Sequence, residues 1–378
     1  MRILHLVSST DRRGAQIFAS DLVGALVPAG VDQHVVALRG TDGPATAFDA
    51  PRTEVVPGGA VRRFDRRAFA GVSASIGQFD PDVIQAHGGE ALKYAIPAAA
   101  WRRRIPVVYR RIGSTPDWAS SSVQRSLYGA LARRAAYVVA VSEATRDEVL
   151  RVMRVPPERA VTIPNAVAAR RLATRSDREA VREGLGVAAP APLVVSVGAF
   201  TWEKDPLGQV EIAAEVLRAA PEAVFVLVGD GPLGTEVKAE VARRGIADGV
   251  RVLGVRDDIP DLLGASDVLL LASSTEGSPA VLIEAGLMGL PVAAYAIGGV
   301  PEIVLDGSTG VLVPAGQRSA LAEALVALLG DADRRASMGA RAAERCRREF
   351  EIGAIAPRYL EVYRRAARAA RVGTSRAV

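Results

Sequence analysis

The chain has 378 residues and only one cysteine, Cys346. No disulfide framework can form within one copy, and the sequence reads as that of a protein of a reducing, cytoplasmic compartment. Lysine is nearly as scarce: Lys93, Lys204 and Lys238 stand among 47 basic residues. A lysine inside a patterned loop therefore carries more information than usual. Aromatic residues make up 5%, and no run of stacking aromatics accompanies the basic clusters. That argues against nucleic acid as a partner. No apolar run approaches the ~20 residues of a membrane span. The first strand-like run, Arg2-Ile-Leu-His-Leu-Val, is too short for a secretory signal. The loop after it, Ser8 to Gln16, holds a single glycine, Gly14. The Gly-x-Gly-x-x-Gly turn of a dinucleotide oxidoreductase is missing, and that class is excluded. No Asp-x-Asp stands near a strand end, so no obligatory metal is expected; Asp257-Asp258 reads as a solvated turn.

What is present is an alternation of apolar runs and amphipathic stretches, the pattern of parallel sheets with helices on both faces. Apolar residues are 49% and charged residues 24%, a globular balance. The net charge of +5 is unevenly spread: 27 basic against 18 acidic residues through position 183, then 20 against 24. Arginine clusters at 62–63, 66–67, 102–104, 110–111 and 133–134 make an anionic membrane surface a candidate partner. Strands are expected at 2–8, 33–38, 81–87, 105–111 and 135–141, and again at 193–198, 223–228, 250–254, 267–273, 290–295 and 309–314. Residues 39–80 show poor periodicity apart from a helix over Arg62–Phe79. The stretch 168–192 is polar and Ala/Pro-rich with one short helix, and reads as a crossing between domains. The tail from Phe350 reads as a helix broken near Pro357, with a frayed end over Val372–Val378.

The most informative stretch follows the run Asp267-Val-Leu-Leu-Leu-Ala-Ser. Glu276-Gly277-Ser278-Pro279-Ala280-Val281-Leu-Ile-Glu284 places two carboxylates eight residues apart. Ser278 suits a helix N-cap and Pro279 a first helical position. Glu276 would then lie at the carboxyl end of a parallel strand, where ligands of open α/β sheets bind. The helix start offers N–H groups to a phosphate, and Glu284, about two turns on, can accept hydrogen bonds from a ribose diol.

These motifs, with Gly289-Leu-Pro-Val and Gly298-Gly-Val-Pro-Glu-Ile-Val, resemble those of the retaining nucleotide-sugar glycosyltransferases of family 4, which have the two-domain GT-B fold. The resemblance covers nearly the whole chain and is strongest in its second half. It implies two Rossmann-like doubly wound domains facing a cleft: an acceptor-binding domain at 1–168 joined by a C-terminal helix at 355–371, a linker at 169–191, and a nucleotide-sugar domain at 192–354. It implies donor contacts from Gly198, Gly229, Asp230, Gly231, Arg256, Gly277, Ser278, Pro279, Ala280, Val281 and Glu284, with Glu276, Lys204 and His87 nearest the chemistry. Gly14 and Ala15, in a loop similar to the family's Gly-Gly-Ala-Glu turn, fall on the acceptor side. The sequence departs from the family at three places. Arg13 replaces a glycine, Ala199 replaces a diphosphate-binding arginine, and the exit loop after the strand at 105–111 has no histidine, with Arg110 and Arg111 nearby. The two arginines suggest an anionic acceptor. The activity so implied is metal-independent, retaining transfer of a sugar from a UDP- or GDP-linked donor, without a cofactor, to a glycan or lipid-linked acceptor at the inner membrane face, as in cell-surface glycan or exopolysaccharide synthesis. A non-catalytic nucleotide-sugar-binding scaffold and a GT-B epimerase are the alternatives.

Overall fold

The computed structural model describes residues 1–41, 45–48, 50–57, 64–102, 105–113, 121–188 and 190–375. The chain divides into two compact units, one of Met1–Ala166 with Ile352–Val378, the other Val167–Glu351.

In the first unit, seven strands form one parallel sheet among the described residues. They are β1 (Arg2–Val7), β2 (Asp32–Ala37), β3 (Arg52–Val55), β4 (Val83–His87), β5 (Val107–Arg111), β6 (Tyr137–Ala140) and β7 (Ala160–Thr162), in the order β3-β2-β1-β4-β5-β6-β7. Between them run α1 (Gly14–Leu26), α2 (Arg66–Phe79), α3 (Gly88–Trp101), α4 (Ser122–Ala132) and α5 (Glu143–Arg151). Strand alternation sorts the side chains. Leu4, Leu6, Ile84, Ala86, Val107 and Tyr109 join the core beneath α2 and α3. Val7, Val35 and Ala37 face α1 through Ala19 and Val23. Helix starts are fixed by side chains that satisfy otherwise unpaired N–H groups. Asp65 accepts from Arg67 N at 2.7 Å, Ser121 from Gln124 N and Ser142 from Thr145 N at 3.1 Å each.

The second unit contains α6 (Arg178–Gly184) and six parallel strands. These are β8 (Leu193–Val197), β9 (Val224–Val228), β10 (Val250–Gly254), β11 (Val268–Leu271), β12 (Val292–Tyr295) and β13 (Gly310–Val313), ordered β10-β9-β8-β11-β12-β13. Its helices continue with α7 (Pro206–Ala219), α8 (Gly234–Arg243), α9 (Ile259–Ala265), α10 (Ala280–Leu287), α11 (Val300–Ile303), α12 (Arg318–Leu329) and α13 (Ala332–Glu349). Two apolar clusters cover the two sheet faces, one around Val195, Val226, Leu269 and Ile283, the other around Val194, Phe225, Leu270 and Leu325.

Four expectations are corrected. β3 falls in the stretch of poor periodicity: it is a four-residue edge strand whose side chains are largely exposed, so no apolar run announces it. The helix expected from Arg62 begins at Arg66; Arg62 and Arg63 lie outside the described residues. Residues 169–191 belong to the second unit, where Leu172, Val181, Val187 and Ala191 pack on its core. The tail is one helix, α14 (Ile352–Ser375), uninterrupted at Pro357. A proline one and a half turns into a helix removes a single N–H bond there. The buried side chains of Ile355, Tyr359, Leu360, Val362 and Tyr363 hold the helix against the first unit.

Candidate active site

In each sheet the strand order reverses at one point, between β1 and β4 and between β8 and β11. Loops leaving the carboxyl ends of strands at such a point diverge and open a crevice.

In the second unit the loop after β8 runs Gly198-Ala-Phe-Thr201, then a single helical turn over Trp202–Lys204. It is locked to the loop after β9 by backbone bonds: Phe200 N donates to Asp230 O at 3.0 Å, and Leu233 N to Phe200 O at 3.0 Å. Gly229, at φ +145°, allows this approach, since a Cβ there would stand 1.8 Å from Gly198 O. The same loop is tied to the one after β11, where Ser274 N donates to Glu203 O at 2.8 Å. The Lys204 ammonium thereby reaches Glu276 Oε1 at 2.6 Å, and Ser273 Oγ donates to the same oxygen at 2.7 Å. Glu276 is 9% exposed, and Gly298 presses on its backbone: at φ +48°, a Cβ there would lie 1.8 Å from Glu276 O. The Gly-rich loops after β8, β9, β11 and β12 thus meet around one partly buried ion pair.

Gly277, Ser278, Pro279, Ala280 and Val281 follow directly. Pro279 occupies the cap position and α10 starts at Ala280, one residue later than expected. Proline has no side-chain donor or acceptor, so no side-chain cap bond forms at Pro279. Glu284 accepts from Arg171 at 2.9 Å. Arg171 sits on a helical turn, Ala169–Leu172, in the segment read as a linker. Its pairing with Glu284 spans 113 residues and had no sequence signal. Asp230 caps its own turn, accepting from Gly231 N at 2.8 Å. Arg256 is elsewhere engaged: its guanidinium grips Asp258 in a two-pronged exposed pair, with Nε at 2.8 Å from Oδ1. Ala199, where the family has an arginine, is exposed.

Behind Lys204, Asp205 adopts the left-handed conformation, φ 42°, and caps α7 by accepting from Gly208 N at 3.1 Å. Arg318 Nη2 reaches the Asp205 carboxylate at 3.1 Å, and Gln209 Nε2 donates to Lys204 O at 2.8 Å. Asp before Pro is a legible N-cap signal; the arginine was not legible.

In the first unit, Gly14 and Ala15 open α1 at the end of β1, and Gly14 is exposed with nothing packed against it. His87 ends β4. It is 3% exposed, and its Nε2 lies 3.2 Å from His5 Nδ1. Burial, with His5 and Arg110 nearby, holds its imidazole well below the usual range, so it is neutral near pH 7. Arg110 and Arg111, expected to meet an anionic acceptor, lie in the interior instead. β5 is a central strand whose five residues are all buried. Arg110 is fully buried, 3.7 Å above the Phe18 ring and 2.5 Å from Asn165 Oδ1. Arg111 pairs with Glu148 at 3.0 Å.

Two doubly wound parallel-sheet units, with a lysine–carboxylate pair at the switch point of the second, define the class of two-domain glycosyltransferases with the GT-B fold. The Anabaena protein Alr3699/HepE, crystallised with UDP and glucose, superposes with a TM-score of 0.82 over 96% of this chain and 98% of its own, at 25% identity. The chain belongs to the glycosyltransferases of the group 1 and family 4 type: the model described as Glycosyltransferase Family 4 matches residues 12–171, and that described as Glycosyl transferases group 1 matches 177–345. Among curated relatives, the alpha-D-kanosaminyltransferase of Streptomyces kanamyceticus is 29% identical over 236 residues, 61% of each chain. The D-inositol 3-phosphate glycosyltransferase of Kineococcus radiotolerans is 35% identical over 251 residues, 61% of this chain and 57% of that one. The chain thus spans about three fifths of the length of these relatives.

Proposed function

We propose that the protein transfers a sugar from a nucleoside-diphosphate sugar to an acceptor hydroxyl, with retention at the anomeric carbon and without a metal. The observation that carries this is the Lys204–Glu276 pair, held at 2.6 Å by three interlocked loops beside the start of α10. In this reading the donor diphosphate lies against Lys204 and the α10 N–H groups, which stabilise the charge that builds as the C1–oxygen bond breaks. Glu276 accepts from hydroxyls of the sugar and Glu284 from the ribose. The acceptor oxygen forms the new bond to C1 on the face the diphosphate leaves, and its proton passes to a phosphate oxygen. UDP is the first donor to test, since Alr3699/HepE was crystallised with UDP and with UDP-glucose. The first unit binds the acceptor, a glycan or lipid-linked molecule, and the protein works on the cytoplasmic face of the membrane. The basic first half supports that placement. So does α4, where Val123 and Leu127, one turn apart, are 75% and 51% exposed beside Arg125. Among the described residues no helix is long and apolar enough to cross a membrane.

The test is a thermal-shift panel of nucleotides and nucleotide sugars on the wild type and Glu284→Ala. A ligand at about 100 times its Kd stabilises by roughly 2.7 kcal/mol. One nucleotide series should raise Tm in the wild type and lose that shift in the variant. No shift with any nucleotide would sink the transferase reading.

A further inference from the structure

The buried face of the first sheet beneath α1 carries a polar chain with a fixed direction. Gln33 Nε2 donates to Val23 O at 2.9 Å. Gln33 Oε1 lies 3.1 Å from His5 Nε2, and His5 Nδ1 lies 3.2 Å from His87 Nε2. His5 and Gln33 are fully buried. A backbone carbonyl can only accept, so the Gln33 amide must turn its nitrogen to Val23 and its oxygen to His5. His5 must then carry its proton on Nε2, leaving Nδ1 as an acceptor. His87 must in turn carry its proton on Nε2. Burial pushes the His5 imidazole down to about 4 and holds His87 low as well, so neither ring gains a second proton near neutrality. By elimination, His87 Nδ1 is a bare lone pair. It is buried and has no hydrogen-bond partner. His87 also holds the cap position of α3 and makes no cap bond with its side chain. An unpaired buried acceptor destabilises the fold, and a ligand donor would recover that loss. It stands at the carboxyl end of β4, on one side of the β1/β4 switch point.

We infer that His5 and Gln33 are positioning residues that present His87 Nδ1 as a hydrogen-bond acceptor to a substrate hydroxyl. The inference rests on the transferase reading and deepens it. It selects the group at this position: a hydroxyl donates to the lone pair, whereas a carboxylate or phosphate oxygen would meet it lone pair to lone pair. His87 therefore orients its substrate and does not protonate it.

Two measurements test this. The chain has three histidines, at 5, 34 and 87, so ring-nitrogen NMR spectra can be assigned with single variants. The wild type should show His87 protonated on Nε2 with an unprotonated Nδ1; an Nδ1-protonated His87 would overturn the inference without reference to turnover. The second measurement is UDP release from UDP-glucose. An asparagine amide reaches the position of Nδ1 and a glutamine amide that of Nε2. His87→Asn should retain about tenfold more turnover than His87→Gln, the worth of one hydrogen bond. The reverse order would mean that only the contact with His5 matters, and would also overturn it. Gln33→Met should lower turnover by a similar factor while leaving UDP affinity unchanged; unchanged turnover counts against it. If Gln33→Met does not fold, the wild-type ring spectrum and the His87 pair decide. Failure of wild-type protein to bind any nucleotide sugar sinks the transferase reading instead, and the ring spectrum still reports on the relay.

Discussion

At the scale of single residues, Glu276 and Lys204 depend on each other. A carboxylate 9% exposed is tolerated because an ammonium at 2.6 Å and the Ser273 hydroxyl satisfy one of its oxygens. A donor would enter between charges already in place, with little reorganisation left for the reaction itself. Glu276→Gln keeps the size and an acceptor for Ser273 but removes the charge. It should lower donor turnover by about 10²-fold, the typical worth of one preorganised electrostatic contact. In the proposed arrangement the nucleotide rests on Glu284 and the start of α10, so UDP affinity should change little. Turnover and UDP titration on the same preparation check this; parallel losses in both would assign Glu276 to nucleotide binding. The two carboxylates were legible from their place in the sequence, one after an apolar run and one in a helix start. What holds them was not. Arg171 and Ser273 are ordinary residue types with no pattern of their own, and the Arg171–Glu284 pairing exists only once the chain has folded.

At the scale of elements, legibility followed burial. Parallel strands buried on both faces, such as β9 and β11, read as continuous apolar runs. The exposed edge strand β3 did not read at all. Polar residues at the end of a buried strand misled: Arg110 and Arg111 were expected to meet an anionic acceptor but are buried in β5. The start of α7 shows a local rule broken for position. Asp205 sits at φ 42°, where glycine is more comfortable, yet it caps α7 and anchors Arg318. Asp205→Ala should lose the cap while keeping the strain, a cost of about 1–2 kcal/mol. Asp205→Gly should be milder by about 1 kcal/mol, since strain relief offsets part of the loss. Chemical denaturation of the two variants checks this order; a less stable glycine variant would show that the left-handed residue is not strained.

The histidines of β1 and β4 make a pH prediction. His5 titrates at 6.5 when unfolded and at about 4 when buried, and His87 and His34 shift in the same direction. Above pH 6.5 neither state holds the extra proton, and the stability is fully present. As pH falls from 6.5 toward 4 the unfolded chain binds protons that the folded chain refuses, so stability is lost in that window. His5 alone accounts for on the order of 3 kcal/mol. The charged group beside this relay is Arg110, itself buried, while His34 meets Glu54, Arg52 and Asp32. Melting temperatures from pH 7 to 4.5 should fall, and more gently in His5→Gln. Equal slopes would remove His5 from the account.

At the scale of the whole molecule, the chain passes between units twice, after Ala166 and after Glu351. The second unit is therefore continuous in sequence and the first is not. Residues 167–351 contain both clusters that cover their sheet, and they contain Lys204, Glu276, Glu284 and Arg171. A fragment of these residues should fold alone and bind UDP with an affinity close to that of the whole chain. Residues 1–166 should not fold alone. Without α14 they lose Tyr359 and Tyr363, which are fully buried, and the Arg110 guanidinium loses part of the cover that keeps it within the first unit. The parts of α1, β4 and β5 that α14 covers would then be open to water, a liability for aggregation. Circular dichroism melts of the two fragments, with UDP titration of the second, decide the matter. A cooperative melt of residues 1–166 would show that α14 is an accessory. A folded second fragment that fails to bind UDP would mean that the nucleotide site needs the first unit, and would move the weight of recognition away from the Lys204–Glu276 pair.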